Sequence, residues 1–89
     1  IAEKMYEITK DAQVLCITHL AQVAAMSDQH VLIEKSVKNN RTSTEITFLS
    51  TEEKTKEIAK MITGAELTET AVQHAVQLLD LTKSYKESV

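Results

Sequence analysis

The segment Val14-Leu15-Cys16-Ile17 constrains the fold of this chain more than any other. It is a continuous apolar run rich in β-branched residues, flanked by the uncharged Gln13 and Thr18. A strand buried on both faces reads this way, and such strands occupy the interior of parallel sheets. A helix comes before it. Ile1, Met5 and Ile8 recur at spacings of four and three, one face of a helix over residues 1–10 that Lys10-Asp11 ends. A helix followed by a buried strand is half of a βα repeat whose preceding strand is not in the sequence. The expectation is an α/β fold in which this strand is covered on both faces and paired on both edges.

Beyond Thr18-His19, the residues Leu20, Val23 and Ala24 give a short helical face that ends near Ser27-Asp28. Residues 30–37 and 42–49 then alternate apolar and polar side chains, with Val31, Ile33 and Val37 on one face of the first and Ile46 and Phe48 on one face of the second. Lys38-Asn39-Asn40-Arg41 lies between them. Asn is the non-glycine residue that best tolerates positive φ, so Asn39-Asn40 predicts a tight antiparallel hairpin. Ser50 and Glu53 form a capping box at the start of the next helix, whose apolar stripe reads Thr55, Ile58, Ala59 and Ile62. Gly64 falls where a helix ends in the left-handed conformation. Thr68 caps a last helix with Val72, Ala75, Val76 and Leu79 on its core side, fraying over Lys83–Val89. The predicted order is helix, strand, helix, strand, strand, helix, helix.

Composition excludes several functions. One glycine in 89 residues cannot supply the two of a phosphate-binding P-loop or the three of a dinucleotide fingerprint. One cysteine allows no internal disulfide and no multi-cysteine metal site. No apolar run approaches the roughly 18–20 residues of a membrane span. The opening IAEKMYEITK does not resemble a secretory signal, and a first residue other than Met leads us to expect a chain cut from something longer. The net charge is −3, and the local basic patch of Lys35, Lys38 and Arg41 reads as a solvated hairpin tip. With three scattered aromatics there is no stacking platform for single-stranded nucleic acid.

Among candidate site residues, His19 is the most suggestive, because ligands of open α/β sheets bind beyond the carboxyl ends of strands. A histidine there can donate to a phosphate oxygen or exchange a proton near neutral pH. The bland alternative is a capping or packing residue. Cys16 is expected in the core as a small hydrophobe. Cys16 and His19 are three apart, on opposite faces of a straight strand, so they do not make a nucleophile–base pair. His30 and His74 have no second ligand at metal spacing, so no metal site is expected. Gln22 is either a polar site group or the exposed side of a short helix. The alternating Glu52, Glu53, Glu57 and Lys54, Lys56, Lys60 read as a solvated face with pairs such as Glu52–Lys56.

Residues 14–35, VLCITHLAQVAAMSDQHVLIEK, closely resemble the C-terminal ATPase lobe of the RecN family, relatives of the SMC and ABC-type ATPases. Family members carry a strand ending in Thr-His-Leu-Pro-Gln-Val-Ala. This chain reads Thr18-His19-Leu20-Ala21-Gln22-Val23-Ala24, with Ala where the family has Pro. Pro favours a first helical turn, but Ala is also a good helix former. The resemblance extends over all 89 residues, through the hairpin and the LSTEEKTKEIAKMITG and TETAVQHAVQLL helices.

This resemblance implies that residues 1–89 are a C-terminal part of a P-loop (ABC/SMC-type) ATPase head, whose P-loop, signature and Walker B elements lie upstream. His19 would be its switch, or H-loop, histidine and catalytic residue, facing the γ-phosphate and the attacking water, with Thr18 and Gln22 as further nucleotide contacts. ATP and Mg2+ would be bound by the parent and neither by the chain alone. The partners implied are a second head and, through other parts of the parent, broken chromosomal DNA, in the cytoplasm and on the nucleoid; no membrane is involved. Two other readings stand beside it: a non-catalytic domain that binds a partner helix, and the head of another SMC-like ATPase. From the residues themselves, a strand cut from its neighbours exposes apolar surface, so the chain is expected to self-associate, for instance by strand exchange.

Overall fold

The computed structural model describes residues 1–64 and 66–89. The elements are α1 (Ala2–Ile8), α2 (Ala21–Met26), β1 (Val31–Lys38), β2 (Arg41–Phe48), α3 (Thr51–Thr63) and α4 (Glu69–Ser88). The fold is mixed α and β, with one two-stranded antiparallel sheet among the described residues.

The local signals set the element boundaries. Asn39 and Asn40 have φ of 52° and 59°, so both central residues of the two-residue turn are left-handed, as a hairpin matched to right-handed strand twist requires. The register runs from Val31 opposite Phe48 to Lys38 opposite Arg41. At α3 the Glu53 amide donates to Ser50 Oγ at 3.2 Å and the Ser50 amide to Glu53 Oε1 at 3.0 Å, closing the capping box. Gly64 ends α3 with φ 78° and donates its amide to the Lys60 carbonyl at 2.7 Å. Thr68 Oγ1 accepts from the Ala71 amide at the start of α4.

The core sits where α2, α3 and α4 meet. It consists of Ala24, Ala25, Ile58, Ala59, Ala71 and Ala75, edged by Met61, Val72, Leu78 and Leu79. Alanines let the three helices approach closely, so Ile58 is the one large side chain that is fully buried among the described residues. α1 is pinned from outside. Tyr6 packs against Tyr85 with ring centroids 6.1 Å apart, and Lys86 Nζ stands 5.0 Å from the Tyr6 ring centre. The hairpin stands off this body, since no Cα of β1 or β2 lies within 8 Å of a helix Cα.

Four expectations are corrected. The segment Val14–Ile17 is not a buried parallel strand: residues 13–20 form no regular element, and Leu15 and Ile17 are 93% and 89% exposed. A strand exists only as a hydrogen-bonded pair, and no described residue pairs with this segment, so the order begins helix, helix rather than helix, strand, helix. Cys16 is exposed for the same reason. The inner faces of α3 and α4 use Met61 and Leu78, while Ile62 and Val76 are exposed. α4 does not fray at Lys83 but runs to Ser88, because Thr82 is buried and Tyr85 and Lys86 hold α1.

Candidate functional site

Thr18, His19 and Gln22 lie at the entrance to α2, and the structure separates them. Thr18 is half-buried, and its Oγ1 accepts the Leu20 amide at 3.0 Å. This side-chain turn replaces a backbone bond and steers the chain into the helix. Leu20 is the N-cap in extended conformation, and the ladder begins with the Ala24 amide donating to its carbonyl at 3.1 Å. His19 projects between these anchors, exposed to solvent and outside the apolar interior. Gln22 faces elsewhere. With Met26 it lines a shallow groove of about 210 Å³ walled by α1 and by Leu78, Leu81, Thr82 and Tyr85 of α4, which His19 does not line. The Thr82 hydroxyl donates to the Leu79 carbonyl at 2.8 Å, which leaves Glu3, Gln22 and Tyr85 as the other polar side chains along a mostly apolar groove.

A second polar site was not foreseen in the sequence. His30, read there as the first residue of a strand, has its Nδ1 buried without a hydrogen-bond partner among the described residues. Burial lowers its pKa, the nearby Lys54 lowers it further, and Glu57 opposes them. Lys54 Nζ donates to the Ser27 carbonyl at 2.7 Å. Burial, and the charge of Lys86, lower the Lys54 pKa against the attraction of Asp28. Asp28 pairs with Lys86 at 2.8 Å. Residues 27–30 thus tie the end of α2 to α3 and α4. The signal in the sequence was the charged and polar Ser-Asp-Gln-His link after a short helix, but its partners are distant in the chain. The Glu52–Lys56 pair is present at 3.9 Å, both ends exposed. Among the described residues, no three His, Cys, Asp or Glu side chains are grouped to hold a metal ion.

Residues 18–24 place an exposed histidine at the mouth of a short helix, and the chain that carries them is similar to a stretch of proteins named for DNA repair. DNA repair protein RecN of Halalkalibacterium halodurans is 52% identical over 97% of this chain, which spans 15% of that protein. RecN of Bacillus subtilis is 51% identical over 89% of the chain and RecN of Deinococcus radiodurans 39% over 89%, the chain spanning 14% of each. The chain belongs to the RecN family and corresponds to a C-terminal portion of it. No family model matches the chain.

Proposed function

We propose that this chain is a C-terminal part of an ABC/SMC-type ATPase head in a DNA repair protein, and that it contributes the histidine that meets the terminal phosphate of ATP. The observation that carries this reading is the placement of His19. It is exposed at the end of an uncharged apolar segment and at the entry to α2, within the motif shared with the RecN family. From there the imidazole is free to donate a hydrogen bond to a phosphate oxygen while negative charge spreads over the transferring group. Thr18 serves by fixing the turn that presents it. Gln22, turned into the α1–α4 groove, is the weakest member of the set.

These residues do not hold a nucleotide by themselves. The chain has one glycine, too few for a phosphate-binding loop. Positioning and electrostatic stabilisation supply nearly all of phosphoryl-transfer catalysis, so a lone histidine adds to a site built by other parts of the parent. In that parent, the second head and the DNA are the partners, and the cytoplasm and nucleoid are the place of action. The exposed Leu15 and Ile17 support a segment that is covered in a larger protein.

The test is made in the full-length parent. His19→Ala is expected to keep ATP binding and to lower hydrolysis by about 10²-fold or more. The 89-residue chain alone is expected to show no turnover above buffer. Wild-type turnover in the parent variant would remove His19 from the mechanism.

A further inference from the structure

The outer face of the hairpin carries a charge pattern that the monomer does not explain. Directly opposed residues share a face, and the rungs on one face read, from base to tip, Leu32/Thr47, Glu34/Glu45, Ser36/Ser43 and Lys38/Arg41. Two carboxylates stand opposite each other, then two hydroxyls, then two cations. Like charges directly opposed across strands are destabilising. None of the four forms an ion pair among the described residues. The two charged rungs are four residues apart along each strand, about 13 Å, too far to relieve one another. Between them, Ser36 Oγ and Ser43 Oγ lie 2.9 Å apart in a hydrogen bond on the face that the register gives to both charged rungs.

The pattern is self-complementary. A two-fold axis along the Ser36–Ser43 rung reverses the strand direction and lays one hairpin face on the other. Lys38 then stands over the partner's Glu34 and Arg41 over the partner's Glu45, and the same two pairs recur on the other side of the axis. Each like-charged rung, unfavourable alone, meets its opposite. Facing sheets pack about 10 Å apart, a gap that Lys and Arg stems span to a carboxylate. The hairpin is accessible for this, since no helix Cα comes within 8 Å of its Cα atoms and every residue from Ile33 to Phe48 is exposed. A polyanion such as nucleic acid fits less well, because the acidic rung lies beside the basic one.

We propose that this face is a contact between two copies of the chain, an isologous hairpin-to-hairpin dimer held by four interchain ion pairs. The contact is small and solvent-exposed, so the dimer is weak and salt-sensitive. It does not depend on the ATPase reading.

Sedimentation equilibrium of the 89-residue chain tests it. The average mass should rise towards a dimer with concentration at about 50 mM salt, and the association should weaken by about tenfold or more at about 500 mM. Glu34→Lys with Glu45→Lys makes the face all-basic, and Lys38→Glu with Arg41→Glu makes it all-acidic. Each double variant should be monomeric, while an equimolar mixture of the two should dimerise. The variant carrying all four changes restores the pattern in reverse and should dimerise with itself. Each rung keeps two like charges throughout, so the variants carry about the same strain within the hairpin as the wild type, and circular dichroism checks that they fold. A monomeric wild type at low salt overturns the proposal. So does a dimer that ignores salt and persists in both double variants, which would place the contact on the apolar residues 14–17. A mixture that fails to associate overturns it as well.

Discussion

His19 and His30 show how one residue type takes two roles from its surroundings. His19 sits in solvent with its turn fixed by Thr18, available to a ligand. His30 is half-buried, its Nδ1 without a partner among the described residues, and burial together with Lys54 holds its pKa below the ordinary value of 6.5 while Glu57 pulls the other way. The folded chain therefore prefers neutral His30. As pH falls through 6.5, the unfolded chain takes up a proton that the folded chain refuses, and stability drops until the lowered folded pKa is passed. The loss is complete below that point and absent well above 6.5. Thermal unfolding from about pH 8 to about pH 5 should show a falling midpoint in the wild type and a flatter one in His30→Phe, which keeps a ring and loses the titration. Equal slopes in the two would clear His30 of this role. Glu53 contributes in a separate, more acidic window, because the Ser50 hydrogen bonds hold its pKa below 4.5.

Helix ends and the hairpin turn are the elements that can be read directly from the chain, because their chemistry is local. Asn39-Asn40, the Ser50–Glu53 box, Gly64 and Thr68 each satisfy backbone groups within a few residues of themselves. Gly64 gives the clearest test. A Cβ built there meets nothing within 4 Å, so the cost of Gly64→Ala comes from the left-handed backbone and not from a clash. It should destabilise the chain by about 1 kcal/mol, and Gly64→Asn by less, as chemical denaturation can measure. Equal stability of Gly64→Ala and the wild type would show that α3 ends without needing φ 78°. The run Val14–Ile17 was illegible for the opposite reason. Its composition reports a wish to be buried between neighbours, but a strand is a relation between segments, and no described segment supplies the other half. The faces of α3 and α4 were legible only in part. Ile62 and Met61 are adjacent and both apolar, and it is Met61 that packs against the buried cluster while Ile62 is exposed. For the candidate site, the position of His19 at the entry to a short helix was legible, but the buried strand expected to end at it is absent, and the separation of Gln22 from it depends on where α1 and α4 pack, which no short motif encodes.

At the scale of the molecule, surface outruns mass. A compact domain of 9.9 kDa presents about 5,200 Å², and this chain presents 6945 Å². Its radius of gyration is 14.4 Å, where a compact domain of this length has about 12 Å. Residues 13–18, which form no regular element, and the largely exposed hairpin both contribute to the excess. An isolated two-stranded hairpin is marginal in water, because its own ladder and cross-strand pairs barely offset the ordering entropy. Here Val37, Ile46 and Phe48 are 70%, 63% and 64% exposed, so packing adds little. The helices differ: α3 and α4 share a buried seam through Ile58, Ala59, Ala71 and Ala75. Opening of the hairpin should therefore cost less than opening of the helical body. Native-state hydrogen exchange should find the amides of β1 and β2 protected by a smaller factor than those of Ile58–Met61 and Ala75–Leu79. Because the interchain contact is weak, this order should hold at low protein concentration and high salt, where the chain is monomeric. Hairpin protection equal to that of the α3–α4 seam under those conditions would mean that the hairpin and the helices unfold as one unit, even though the hairpin stands clear of the helical body.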